Sequence, residues 1–136
     1  MKKKVVLAFS GGLDTSYCVK YLSEDKGYEV HTITVNTGGF DSDELKSVEA
    51  RAKSLGVASH KTVDETRNYY DKVIRFLIYG NVLKNNTYPL SVSAERMSQA
   101  LATAVYAKEL NANAVAHGST GAGNDQVRFA MILNIL

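Results

Sequence analysis

Val5-Val6-Leu7-Ala8-Phe9-Ser10-Gly11-Gly12-Leu13-Asp14-Thr15-Ser16 is the stretch whose reading decides the fold. Five apolar residues run straight into two glycines, and a helical pattern opens behind them. An uninterrupted apolar run of this length suits a central parallel strand buried on both faces. Gly11 and Gly12 let the backbone turn sharply and approach a ligand without a Cβ in the way. A second turn of the same kind, His117-Gly118-Ser119-Thr120-Gly121-Ala122-Gly123-Asn124-Asp125-Gln126, follows the apolar run Ala114-Val115-Ala116. In one open α/β sheet the two turns face a common crevice.

The remaining pattern alternates strand and helix. Asp14 to Lys26 reads as a helix with Cys18, Val19 and Leu22 on its apolar stripe and Gly27 as its stop. Val30 to Val35 is a β-branched second strand. Gly38-Gly39 and Asp41 mark a turn and helix start, and a helix over Ser42 to Leu55 ends at Gly56. Ala58 to Val63 is a weaker third strand. Glu65 to Leu83 is helical by pattern, with Val73, Phe76, Leu77 and Gly80 on one face; Tyr69, Tyr70, Phe76 and Tyr79 read as core aromatics. A polar loop over 84–87 leads to Tyr88, which Pro89 forces to be extended. Ser93 to Leu110 is a helix with Met97, Leu101, Ala104 and Val105 expected inward. Ala114 to Ala116 is the fourth strand, and Asn124 to Leu136 the last helix. This order predicts an α/β fold, a doubly wound parallel sheet with right-handed crossovers and helices on both faces.

At 136 residues the chain is expected to form one domain. Its apolar fraction of 45% and charged fraction of 22% are ordinary for a globular protein. A net charge of +2 gives no electrostatic footprint for nucleic acid or an anionic membrane. Cys18 is the single cysteine, so no internal disulfide is possible. Lys2-Lys3-Lys4 is followed by too short an apolar run for a signal peptide, and nothing approaches membrane-spanning length. A cytoplasmic protein is expected. The apolar end, Ala130-Met131-Ile132-Leu133-Asn134-Ile135-Leu136, lacks a cap or polar tail and reads as a helix leading onward into further chain.

Helix N-termini carry unsatisfied N–H groups and a dipole that favours anions. Ser10, Thr15 and Ser16 add hydroxyls at the first turn, while Asp14 suits either a helix cap or a Mg²⁺ bridging phosphates. No lysine follows the glycines, so the loop is not a Walker-type P-loop, and the glycine spacing is not that of a dinucleotide fold. A plain strand-to-helix turn capped by Asp14 is the competing reading. Ser10-Gly11-Gly12-Leu13-Asp14-Thr15-Ser16 resembles the SGGxD(S/T)S pyrophosphate loop of the ATP pyrophosphatases, of the adenine nucleotide α-hydrolase-like superfamily. That resemblance implies a Rossmann-like fold of the ATP pyrophosphatase type and cleavage of ATP between its α- and β-phosphates.

In the second turn, Arg128 lies one helical turn after Asn124, on the same face. Arginine grips a carboxylate through two parallel hydrogen bonds, Asn124 donates and accepts, Thr120 donates, and Asp125 accepts from an ammonium. Such a set suits amino-acid backbones; the competing reading is a helix cap and a solvated arginine. The segment His117 to Phe129 resembles the HGxTGxGNDQxRF signature of argininosuccinate synthases, in register over the whole chain. Tyr88-Pro89-Leu90-Ser91-Val92-Ser93-Ala94-Glu95-Arg96 resembles that family's citrulline-contacting stretch.

The resemblance implies ligation of citrulline and aspartate to argininosuccinate, with release of AMP and pyrophosphate through citrullyl-AMP. It implies Mg²⁺ with ATP, a homotetramer, and a setting in arginine biosynthesis or the urea cycle. It maps Ala8, Phe9, Ser10, Gly11, Gly12, Leu13, Asp14, Thr15, Ser16, Val35 and Gly118 onto ATP contacts. It maps Tyr88, Ser93, Asn124 and Arg128 onto citrulline contacts, and Thr120, Asn124 and Asp125 onto aspartate contacts. No catalytic residue is singled out beyond positioning by Asp14, Asn124 and Arg128.

Two departures stand out. Met97 replaces a proline usual in the family, and the family's chain is much longer, with a synthetase domain and a C-terminal oligomerisation helix absent here. Residues 1–136 then read as the nucleotide-binding domain, binding ATP but lacking part of the active site. A tRNA thiolase of the same superfamily would call for a cysteine pair and a basic surface. A nucleotide sensor of the universal-stress type would leave Asn124 and Arg128 without a purpose. Cys18 reads as a packed thiol, His31 and His60 as structural or exposed, and His117 equally as a ligand contact or a structural ring.

Overall fold

The computed structural model describes residues 2–135. Four strands, β1 (Lys4–Ala8), β2 (Glu29–Asn36), β3 (Ser59–Asp64) and, last in the chain, Ala114–His117, form one sheet in which every neighbouring pair is parallel. Between β3 and the Ala114–His117 strand the chain adds a two-residue antiparallel pair, β4 (Leu83–Lys84) and β5 (Tyr88–Pro89), so the last strand is β6. The sheet order is β3-β2-β1-β6. The chain steps from β1 outward to β3 and then returns to the far side of β1. The order of winding therefore reverses between β1 and β6, where open α/β sheets bind ligands beyond the strand ends.

Val5, Val6 and Leu7 are at most 2% exposed, as expected for a strand covered on both faces. Val5, Leu7 and Phe9 face α1 (Leu13–Lys20) and α2 (Ser42–Ser54), packing with Val19, Val48 and Ala52. Val6 faces the opposite way, with Ile33 and Val35 of β2, onto Tyr106 and Ala107. Each fully buried aliphatic side chain of this kind contributes roughly 1.5–3 kcal/mol. Asp41 caps α2 as the sequence predicts: it accepts from the amides of Asp43 and Glu44, while Glu44 accepts from the Asp41 amide. Cys18 packs at the edge of the first cluster, and burial pushes its thiol pKa up, which keeps it inert.

Three expectations need correction. The helix expected over Glu65 to Leu83 is α3 (Thr66–Tyr69), a π-helical turn at Tyr70–Ile74, and α4 (Arg75–Tyr79). The wide turn rotates everything after it, so Val73 and Leu77 stay half-buried while Phe76 swings out to 56% exposure. Tyr69 is the one core aromatic of the expected four; Tyr70 and Tyr79 are exposed with Phe76. The long helix α5 runs Ser91–Glu109 and turns a different stripe inward. Ala104 lies inward as expected, together with Ala100, Thr103, Tyr106 and Ala107, whereas Met97, Leu101 and Val105 lie outward. Small residues win the inner face because α5 must fit against the sheet on one side and α6 (Asn124–Ile135) on the other.

The histidines are not exposed. His31 shares hydrogen bonds with Ser59 and Glu29, and Ser59 reaches the Tyr106 hydroxyl, tying β2, β3 and α5 together. His60 bonds Thr32 and meets the edge of the Phe9 ring. No helix among the described residues is long and apolar enough to cross a membrane.

Candidate functional site

The two glycine turns meet at the strand ends. A Cβ on Gly118 would lie 2.8 Å from Thr15 Cγ2 and 3.4 Å from the Thr15 amide nitrogen. Only glycine lets the second turn come this close to the first turn of α1. Gly11 is the other constrained glycine: its φ is +76°, and a Cβ there would press on Val48 at 2.9 Å. Gly11 therefore serves the turn and its packing on α2, while Gly12 faces the crevice. Around Gly121 nothing lies within 4 Å and Gly123 has ordinary room, so neither is required by a close approach inside the chain.

Gly12, in extended conformation, is the N-cap of α1, and Asp14 makes no capping bond. The capped-turn reading of Asp14 therefore fails, and its exposed carboxylate has no hydrogen-bond partner among the described residues. Thr15 and Ser16 place their hydroxyls on the Gly12 carbonyl, at 3.3 and 2.8 Å, and Ser10 shares a hydrogen bond with Thr15. From α2, Arg51 Nη1 donates to the Gly11 carbonyl at 2.7 Å. Arg51 pins the loop from outside; nothing in the polar face of α2 distinguishes it in the sequence.

A crevice of about 1310 Å³ opens over these loops, larger than the roughly 300–1,000 Å³ of a typical single-ligand pocket. Ala8, Phe9, Ser10, Gly12, Leu13, Asp14, Thr15 and Val35 line one side of it. Ser93, Gly118, Thr120, Asn124, Asp125 and Arg128 line the other. Of the residues expected at the site, Gly11 and Ser16 stand behind the lining, and the Tyr88 side chain lies outside the described residues.

The Asp125 and Arg128 side of the crevice is a chain of ion pairs and hydrogen bonds. Asp125 accepts from Arg128 Nη1 at 2.6 Å and from Arg96 Nε at 3.0 Å. Partial burial pushes the Asp125 carboxyl up, but the hydrogen bonds and charges of the two arginines outweigh it and hold it below the usual carboxylate range. Arg128 thus neither floats in solvent nor stands alone; Asp125 orients it. Arg96 continues the chain to Gln99 and Glu95, and Glu95 accepts from the Thr37 hydroxyl at 3.0 Å, beyond the end of β2. Glu95 and Arg96 fall in the stretch that resembles the family's citrulline contacts, although neither was mapped as a contact; Thr37 and Gln99 were not expected at the site. The signal in sequence is the polar i, i+4 pair Glu95 and Gln99 on α5.

His117 ends β6 with its ring stacked on Phe129, centroids 4.9 Å apart, and its Nδ1 accepts from the Ser119 amide at 3.3 Å. Burial lowers its pKa from 6.5, which favours the neutral acceptor form. Both ring and nitrogen are used within the chain to shape the second turn. Among the described residues no three His, Cys, Asp or Glu side chains gather to hold a metal by themselves.

Comparison with known proteins agrees with this geometry. A family model described as the arginosuccinate synthase N-terminal HUP domain matches residues 4–136. An argininosuccinate synthase of Xylella fastidiosa is 49% identical over 96% of this chain and 32% of its own length. One from the archaeon Pyrobaculum aerophilum is 42% identical over 98% of this chain and 33% of its own. The chain therefore spans about a third of the length of the relatives it matches. A crystal structure of a predicted subunit of tRNA methyltransferase from Methanocaldococcus jannaschii superposes with a TM-score of 0.61, covering 97% of this chain and 64% of the other at 24% identity, a likeness of fold alone. With both signature turns in one crevice and the family match running from β1 to the last helix, the chain belongs to the argininosuccinate synthase family, as its N-terminal HUP domain.

Proposed function

We propose that this chain supplies the ATP-binding half of an argininosuccinate synthase active site. The reaction is ATP-dependent ligation of citrulline and aspartate to argininosuccinate, with release of AMP and pyrophosphate. The observation that carries the reading is the contact of Gly118 with Thr15, which joins the two signature turns at the sheet's switch point.

In this reading the amides at the start of α1 and the hydroxyls of Ser10, Thr15 and Ser16 hold the pyrophosphate part of ATP, and Val35 marks the adenine end. Asp14 projects a free carboxylate into the crevice beside them, which fits a Mg²⁺ held by one carboxylate plus substrate phosphates. The ion would neutralise charge on the departing pyrophosphate. The citrulline ureido oxygen attacks the α-phosphorus, and pyrophosphate leaves with the electron pair of the broken P–O bond. The aspartate amine then attacks the ureido carbon and expels AMP. In the same reading Tyr88, Ser93, Asn124 and Arg128 serve citrulline, and Thr120, Asn124 and Asp125 serve aspartate. Catalysis on this side of the crevice is positioning and charge neutralisation.

The relatives' remaining length is the source of further substrate contacts, of the tetramer, and of full turnover; the setting is arginine biosynthesis or the urea cycle, in the cytoplasm. The test is a chimera in which this chain replaces the matching third of the Xylella fastidiosa enzyme. Release of AMP that requires both citrulline and aspartate is expected. A folded chimera that releases AMP without either amino acid, or none at all, counts against the reading.

A further inference from the structure

Two residues of α2, one turn apart, hold the first glycine turn from behind. Val48 packs so closely under Gly11 that a Cβ there would meet Val48 Cγ2 at 2.9 Å. Arg51 Nη1 donates to the Gly11 carbonyl at 2.7 Å. The other cations of this helix take carboxylates of the helix itself: Lys46 pairs with Asp43 and Lys53 with Glu49. Arg51 instead reaches a backbone oxygen 40 residues earlier in the chain.

The Gly11 carbonyl and the Gly12 amide belong to one peptide unit. A trans peptide is planar, so its C=O and N–H point in opposite directions, and no peptide bond among the described residues is cis. Fixing the oxygen on Arg51 therefore fixes the direction of the Gly12 N–H. Gly11 stands behind the crevice lining, while Ser10 and Gly12 line it. The Gly12 N–H turns to that side, where its contact inside the chain is a long one, 3.4 Å to Ser10 Oγ, beyond the usual range of roughly 2.7–3.2 Å. That donor stays available to a stronger acceptor. Glycine on both sides of a peptide lets the unit rotate at little steric cost, and the rotated form would aim the Gly11 carbonyl oxygen at any anion in the crevice. Val48 fixes where the turn lies but not which way this peptide faces; the charge-assisted hydrogen bond from Arg51 does.

We propose that Arg51 is a positioning residue for the polyphosphate of ATP: by holding the Gly11 carbonyl it keeps the Gly12 N–H aimed at the phosphates. Arg51 stands outside the crevice lining, so it acts through the peptide and not on the ligand. The proposal rests on the ATP-binding reading above and adds to it a residue from outside the pyrophosphate loop. A donor already in place needs no reorganisation when the anion arrives. A loop that spends part of its time in the rotated form binds more weakly by the fraction lost.

The test is calorimetric titration of the chain with Mg·ATP and with AMP, which lacks the β- and γ-phosphates, for the wild type, Arg51→Ala, Arg51→Lys and Lys53→Ala. Arg51→Ala is expected to weaken Mg·ATP about tenfold and to leave AMP unchanged. Arg51→Lys, which keeps a charged donor, recovers most of the loss. Lys53→Ala, which removes a charge from the same turn of α2 without touching the loop, binds as the wild type does. In the ligand-free chain the Gly12 amide nitrogen resonance, which reports the hydrogen bond at the preceding carbonyl, shifts in Arg51→Ala and returns toward its wild-type position in Arg51→Lys. Wild-type affinity for Mg·ATP in a folded Arg51→Ala chain overturns the proposal and leaves the nucleotide reading standing. So does an equal loss for Mg·ATP and AMP, which marks general loosening, an equal loss in Lys53→Ala, which marks a distant charge effect, or an unmoved Gly12 resonance. A wild-type chain that binds no Mg·ATP overturns both.

Discussion

At the scale of single residues, the crevice is built from groups whose partners already set their direction. Arg128 is the clearest case, because Asp125 holds one of its nitrogens while the rest of the guanidinium stays available. In the chimeric synthase, Arg128→Ala is expected to lower kcat/KM for citrulline by the equivalent of about 2–4 kcal/mol. Kinetics in citrulline and in ATP separate the roles: unchanged citrulline kinetics would remove Arg128 from the site. Asp125 then keeps only Arg96 as a charged partner, so its carboxyl pKa moves back up toward the ordinary range. Glycine roles divide in the same way. Gly11 and Gly118 are held by packing, whereas Gly12 faces the ligand space, a distinction that composition of the loop does not reveal.

At the scale of elements, much was legible and the exceptions have causes. The apolar run of β1, the glycine stops and the Asp41 cap are local signals, and each element they mark is present. Pattern cannot foresee a π-helical turn, which costs no particular residue type and shifts the phase of everything after Tyr70. Nor does pattern choose between two stripes of one helix. On α5 the larger apolar residues Met97, Leu101 and Val105 suggested the inner face, but the buried positions are Ala100, Thr103, Ala104, Tyr106 and Ala107, small residues apart from the one tyrosine. Ala104→Leu is therefore expected to destabilise the chain by about 1–3 kcal/mol through overpacking, and Leu101→Gln by less than about 0.5 kcal/mol. Chemical denaturation distinguishes the two, and the reverse ranking would restore the stripe expected from sequence. The chain of pairs from Thr37 to Arg128 joins three separate elements, which is why no single stretch announces it.

At the scale of the molecule, a four-stranded parallel sheet brings together two turns more than 100 residues apart because β6 returns beside β1. The sequence read each turn correctly as a strand-to-helix loop; their actual contact, Gly118 on Thr15, is a property of the sheet order alone. That contact makes one crevice from two half-sites, which is what the proposed ATP site needs. The most direct measurement is calorimetric titration of Mg·ATP into the wild type and into Gly118→Val, with circular dichroism on both. Single-site binding by the wild type is expected, with a loss of more than about tenfold in the variant, whose spectrum stays that of a folded α/β protein. Wild-type affinity in a folded Gly118→Val chain, or no binding by the wild type, would contradict it.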